Sequence, residues 1–326
     1  MTGVPALRGD CSPMLSNFEV CLNAVLPMFL LIFIGVAVRH FNILSYDEVR
    51  KVNRFVFLVF FGPLMFENIY GSSFSGEINI STVVFGVIFV LGEIAVITPA
   101  VMAVEKDNRK RGAMIQAMYR SNYVIMGLPV AMNIFGKGNV SMTAVMVSVI
   151  VPVYNIMAVI ILEAFRGGSV SPLSIIKSLA KNPIIIGAIC GILATAADLK
   201  LPEAVDTVIS DMGNACTPIA LIILGASFSF KRIRGYTKDL TIVVVTRLVL
   251  VPAAGLTLAA LLGFRGIDFI SLLAMMTAPS AISSYTMADA MDSDGALAGA
   301  AVIFTSAFSL LTMFLWLFLF KNLGMF

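Results

Sequence analysis

Side chains able to do chemistry are scarce in this sequence, and they gather in two places. One is Tyr119-Arg120-Ser121-Asn122-Tyr123-Val124-Ile125-Met126-Gly127-Leu128-Pro129, and the other is Thr277-Ala278-Pro279-Ser280-Ala281-Ile282-Ser283-Ser284-Tyr285. Both lie within long apolar segments, and each contains a proline that costs a continuous helix a hydrogen bond. In lipid, a broken helix strands backbone N–H and C=O groups, so it survives only where it lines an enclosed or watery cavity. The half-helix after each break starts with free N–H groups and a partial positive charge, which favours an anion or a carboxylate. Gly127 and Pro129 mark the first break, and Pro129 is expected in the first turn of its half-helix, where a missing N–H is harmless. Pro279 marks the second. Asn122, Ser280, Ser283 and Ser284 supply neutral donors and acceptors beside them. A single break of this kind reads equally well as a kink in a packed helix; two in matched positions favour a binding site.

Charge inside apolar segments is costly, so Glu93, Arg120 and Arg247 are candidates for function. At about 1.5 Å per residue, Glu93 lies some 16–18 Å from the basic end of its segment, Arg247 about 12 Å and Arg120 about 10 Å. Glu93 is able to pair with either arginine. That leaves two readings, a structural ion pair or an arginine that offers charge to an anion while Glu93 tunes it or carries a proton. Arg120 is also near enough to its end to snorkel to the interface. Asp289 clusters with Asp292 and Asp294; a solvated turn is the simpler reading and a cation gate the sharper one. The single histidine, His40, and four cysteines without CxxC spacing offer nothing for a metal, a disulfide framework or a catalytic triad. No cofactor and no enzymatic activity are expected.

These residues need elements to hold them in place, and the composition says what kind. The chain is 59% hydrophobic and 13% charged, with mean hydropathy +0.97. Soluble domains carry about 25% charged residues. Apolar runs long enough to cross a bilayer fall at 17–39, 52–69, 80–104, 113–136, 140–165, 182–198, 203–230, 239–263, 267–290 and 295–320. The expected fold is all-α and integral to the membrane, with ten transmembrane helices. Most of the 22 Lys and Arg residues fall on one side of these spans, which places both termini outside. No cleavable signal peptide is expected in the first sixteen residues, which read as an extracytoplasmic tail.

A shift of about 156 residues brings Pro27 onto Pro183, Asp47 onto Glu203 and Val52 onto Val208. Each half then holds five spans, an odd number, so the halves are expected to be inverted repeats at 17–165 and 182–321, joined by a cytoplasmic linker at 166–181. The broken fourth and ninth spans are expected to cross near the midplane.

At these motifs the chain resembles bacterial members of the auxin efflux carrier family. The matching residues are Ser121-Asn122 with Gly127-Leu128-Pro129, Thr217-Pro218-Ile219-Ala220 leading to Leu224-Gly225-Ala226, Arg247-Leu248 with Pro252, and Ala278-Pro279-Ser280-Ala281. The resemblance spans nearly the whole chain. It implies a scaffold of helices one, two, six and seven, a transport domain of helices three to five and eight to ten, and an elevator-like movement. It also implies a weak organic acid bound at the crossing, where Asn122, Pro129 and Pro279 match the crossover positions, and a homodimer built through the scaffold. The long hydrophilic central loop of the plant exporters is missing, which argues against auxin itself. The ninth-helix break carries serines and no acid before Asp289, which disfavours sodium at the crossing.

The expected function is secondary transport of small organic anions, mono- or dicarboxylates, across a bacterial cytoplasmic membrane. The substrate site is expected at Asn122, Gly127, Pro129, Pro279, Ser280, Ser283, Ser284 and Arg247, with Glu93, Arg120 and Asp289 as coupling or ion-pair candidates. Proton coupling stays open, and no nucleic-acid partner is expected. A cation- or proton-coupled carrier of a non-anionic metabolite and a transporter-like receptor are the alternatives.

Overall fold

The computed structural model describes residues 12–70, 79–135, 141–166, 172–228 and 234–326. Residues 1–11 of the expected tail lie outside these residues, as does part of the linker, while residues 12–16 of the tail are helical. The described chain is all helix. Its first half contains α1 (Ser12–His40), α2 (Tyr46–Val59), α3 (Phe61–Tyr70), α4 (Ile80–Val104), α5 (Asn108–Tyr119), α6 (Tyr123–Phe135) and α7 (Ser141–Ala164). After α8 (Pro172–Lys181), the second half contains α9 (Pro183–Ala196), α10 (Glu203–Ser227), α11 (Thr237–Val245), α12 (Val251–Leu261), α13 (Gly266–Thr277), α14 (Ser283–Ala290) and α15 (Gly295–Asn322). A π-helical stretch, Thr246–Leu250, makes α11 and α12 one continuous rod.

Six of these rods are long and apolar enough to cross a bilayer: Tyr46–Tyr70, Ile80–Val104, Ser141–Ala164, Glu203–Ser227, Thr237–Leu261 and Gly295–Asn322. Side chains such as Phe33, Ile88, Val96 and Leu261 are more than half exposed on their outer faces. An apolar surface of that extent suits lipid and not water.

Caps set the helix starts. Ser45 and Glu48 form a reciprocal capping box that begins α2 six residues before the expected span, since apolarity alone does not register a polar first turn. Asp107 caps α5 by accepting from the Arg109 N–H at 2.9 Å, so the fourth span begins five residues before its expected start. Just before it, the backbone N–H groups of Asp107 and Lys106 hold the Glu105 carboxyl below the usual carboxylate range. The linker contains α8, which the span search missed because its residues are amphipathic and not continuously apolar.

The helices sort into two packed groups. α1 lies along α10 and α3 along α9, with α10 also touching α2 and α3. α4 to α7 and α11 to α15 pack among themselves. The first group depends on close approach of backbones. A Cβ built at Gly225 would sit 2.0 Å from the Ile32 carbonyl oxygen, and one at Gly187 would sit 2.2 Å from that of Gly62. Small residues permit this contact, which carries much of helix association in lipid.

Gly225→Leu therefore forces α1 and α10 apart. Thermal unfolding of the detergent-purified variant is expected to show a loss of about 3 kcal/mol or more, and unchanged stability would mean that the α1–α10 contact is not tight.

Candidate functional site

The expected fourth and ninth spans are each two helices with an extended step between them. In the ninth, Ala278 is extended (φ −61°, ψ 146°) because it precedes Pro279, whose ring excludes the helical conformation from the residue before it. In the fourth, the extended residue is Arg120 (φ −83°, ψ 114°), with no proline beside it. Its conformation is fixed by its partner. The Asn122 N–H donates to the Pro279 carbonyl at 2.8 Å, and the Ala281 N–H donates to that of Arg120 at 3.1 Å. Ser121 and Ser280 thus form a two-residue antiparallel bridge where the spans cross.

This corrects the sequence reading of the first break. Pro129 is the seventh residue of α6 and not in its first turn, and the chain departs from helix at Arg120 to Asn122. Pro129 only withholds one N–H from within α6; the break itself is made by pairing with the other span. Gly127 lies in α6, and the surroundings of its side-chain position fall outside what is described.

Arg247 holds the opposite side of the crossing. It is fully buried. Its Nε donates to the Ala278 carbonyl at 2.9 Å; Nη1 reaches those of Met118 and Tyr119 at 3.3 and 3.0 Å; Nη2 reaches those of Met275 and Met276 at 2.9 and 3.1 Å. These are the carbonyls that α5 and α13 leave unpaired at their C-terminal ends. The cation also complements two helix ends of partial negative charge. Arg247 was expected to face a substrate, but its guanidinium is committed to the backbone.

Where α6 and α14 begin, the two groups of helices enclose a cavity of about 100 Å³. The crossing contributes Arg120, Ser121, Asn122, Ala281, Ile282 and Ser283; α3, α7 and α10 close it with Asn68, Tyr154, Asn155 and Thr217 among others. Arg120 is 2% exposed, so it does not snorkel. Its guanidinium donates to the Asn155 side-chain oxygen and to the Met287 sulfur. Among the described residues no carboxylate lies within ion-pair reach of it.

The remaining expected residues divide. Asn122 and Ser283 line the cavity. The Ser280 hydroxyl donates to the Ala117 carbonyl at 2.5 Å and its N–H to Thr305 Oγ1 at 3.1 Å, which fixes the bridge to α5 and α15. Ser284 is fully buried and its carbonyl accepts from Gln116 Nε2 at 2.9 Å. Pro279 acts through its carbonyl. Asp289 is remote from the cavity, where Asn53 of α2 donates to it at 2.9 Å and to the Thr286 carbonyl at 3.3 Å. Glu93 faces a different cavity altogether. Asn155 was not expected as a cavity residue from its own span; only the packing of α7 against the crossing brings it there.

Known proteins show the same relationship along most of the chain. The sequence model of a family described as "Membrane transport protein" matches residues 20–317. An uncharacterized transporter of Methanocaldococcus jannaschii is 24% identical over 305 residues, covering 90% of this chain and 97% of that protein. Another, from Methanothermobacter thermautotrophicus, is 23% identical over 296 residues, covering 90% and 96%.

Replacing Arg247 by Met leaves five buried carbonyls without donors, each costing on the order of 1 kcal/mol or more. The variant is expected to unfold well below the parent protein with or without added organic acids. Parental thermal stability would show that Arg247 is not what holds the crossing together.

Proposed function

The chain belongs to the membrane transport protein family that includes the auxin efflux carriers, and on that premise we propose that it carries small organic anions bound at the crossing. It is a multi-pass membrane transporter and not an enzyme. The observation that carries the substrate class is Arg120, a buried guanidinium in the cavity wall with neutral partners only. A cation in that position is expensive unless an anion reaches it. The N-termini of α6 and α14 converge on the same cavity and add the partial charge of two helix dipoles. Asn122, Ser283 and Thr217 supply neutral groups for the rest of a carboxylate-bearing ligand.

We further read the chain as ten spans in two inverted five-helix repeats, with both termini outside. The reciprocal packing of α1 on α10 and of α3 on α9 supports this, because an inverted repeat exchanges those two pairs. The crossing of α5–α6 with α13–α14 maps onto itself under the same exchange. In this reading α1–α3 with α9 and α10 form the scaffold, and α4–α7 with α11–α15 move. Polar ties join the two at the end that bears the basic loops. Asn53 bonds Asp289 at 2.9 Å, and Arg50 meets Asp292 at 3.5 Å. The Arg50–Asp292 pair is more than half exposed and therefore weak, which suits an interface that must separate and reform.

Mono- and dicarboxylates are expected to raise the thermal stability of the purified protein by mass action, whereas amines of similar size are not. In Arg120→Met the same acids are expected to lose most of that effect, with affinity reduced about 30-fold or more, as for loss of a charged hydrogen-bonding partner worth about 2 kcal/mol. Counterflow of a stabilising acid in proteoliposomes tests transport itself. Parental affinity in a folded Arg120→Met protein, or stabilisation by amines alone, would overturn the anion assignment.

A further inference from the structure

A second cavity shares no lining residue with the first. α4 and the α11–α12 rod diverge around an apolar groove of about 750 Å³ with Met118 of α5 beneath it. A Cβ built at Gly92 meets nothing within 4 Å, so the α4 wall is recessed there. Val96 and Leu250, on the two walls, are 70% and 56% exposed, so the groove opens toward the surface that lipid covers.

One polar group is out of place in it. Glu93 is 9% exposed, and its Oε2 is buried with no hydrogen-bond partner. The ionisable groups whose fields reach it are Arg247 from the α11–α12 rod, Tyr119 from α5 and Tyr154 from α7. None of them offers it a hydrogen bond. Arg247 is occupied by five carbonyls, and the Tyr119 hydroxyl donates to the Tyr154 carbonyl at 3.2 Å. Glu163 Oε2 is likewise buried without a hydrogen-bond partner, but the two other buried acids of the described chain each have a cation within ion-pair distance. Asp239 meets Lys110 at 3.0 Å, and Glu163 meets Arg166 at 3.5 Å. Glu93 has the attraction of a nearby positive charge without contact to it. A carboxylate so placed is stabilised at a distance by Arg247 and penalised by its apolar walls, and a bound proton removes both effects.

We propose that Glu93 is a proton-binding site, taking up and releasing one proton as the carrier works. This deepens the carrier reading by naming a coupling ion and the group that holds it, and its test requires no substrate. Dicyclohexylcarbodiimide, an apolar reagent, reacts with protonated carboxyl groups. The acid O–H adds across one C=N bond, oxygen bonding to carbon and the proton passing to nitrogen. Acyl migration to nitrogen then fixes the adduct, with no further reagent consumed. The full-length protein in lipid vesicles would be treated over a range of pH and the modified residue located by peptide mass spectrometry.

Glu93 is expected to be modified at acid pH, with the yield falling about tenfold per pH unit above its titration midpoint. Glu163 and Asp239, ion-paired in the same molecule, are expected to stay unmodified and serve as internal standards. Glu93→Gln is expected to lose the adduct; where that variant folds poorly, the residue assignment still stands on the parent protein. An unmodified Glu93 at acid pH in folded protein, or a yield that does not change with pH, would overturn the proposal and leave Glu93 as a fixed countercharge to Arg247. Modification without organic-acid transport would instead leave the proton site standing and count against the carrier's assigned substrate.

Discussion

Two helices that stop in the middle of an apolar layer leave about four carbonyls each without hydrogen-bond donors. Water is not there to supply them, so the protein must. Arg247 answers most of that demand with one side chain, its planar fork reaching carbonyls at the ends of both α5 and α13. Lysine, a point charge with three rotatable donors, has no equivalent geometry. The π-helical stretch at Thr246–Leu250 belongs to the same solution, since the wider turn lies where the arginine enters the crossing. Once the carbonyl ends are held, the rest of the crossing follows. The Ser121–Ser280 bridge aligns the breaks, and the free N-terminal ends of α6 and α14 are left facing the cavity.

The division of labour between the two buried arginines comes from this constraint. Arg247 and Arg120 have the same chemistry and lie on opposite sides of one bridge. The first touches backbone oxygens that carry a partial negative charge and is saturated by them. The second sits where the helix ends are partially positive, so its field adds to theirs, and among the described residues no carboxylate within ion-pair reach cancels it. On the function proposed above, a site that concentrates positive potential from three sources suits an anion.

The periodic, long-range features of the molecule were legible in the sequence, and the local ones less so. Apolar runs located the six long rods because a bilayer imposes their length, and Pro279 located its break because proline acts on its own neighbour. The fourth-span break was displaced toward Gly127 and Pro129 because its true cause, pairing with Pro279 and Ala281, is a tertiary contact that no local signal encodes. Arg247 was recognised as important and given the wrong direction, since depth along a helix says nothing about which face a side chain takes. Arg120 was undervalued for a related reason. Its distance from the helix end allowed snorkelling, and only the break beside it, with Asn155 of α7, keeps it inside.

The charges buried near the crossing also suggest why a proton and an organic acid would travel together. Among the described residues these are Arg120, Arg247 and Glu93. With Glu93 ionised they sum to one positive charge, and with Glu93 protonated to two. A moving body that passes through the low-dielectric layer is least penalised when its buried charge is balanced. A monocarboxylate balances the ionised state and a dicarboxylate the protonated one. On the proposals made above, Glu93 therefore sets how much negative charge the cavity must receive before movement is favourable. It exerts that influence through the summed field of the domain, without touching the ligand. Arg247 lies between the two sites, bonded to the crossing on one side and electrostatically coupled to Glu93 on the other, so the group that makes the broken helices tolerable also links the proton to the anion.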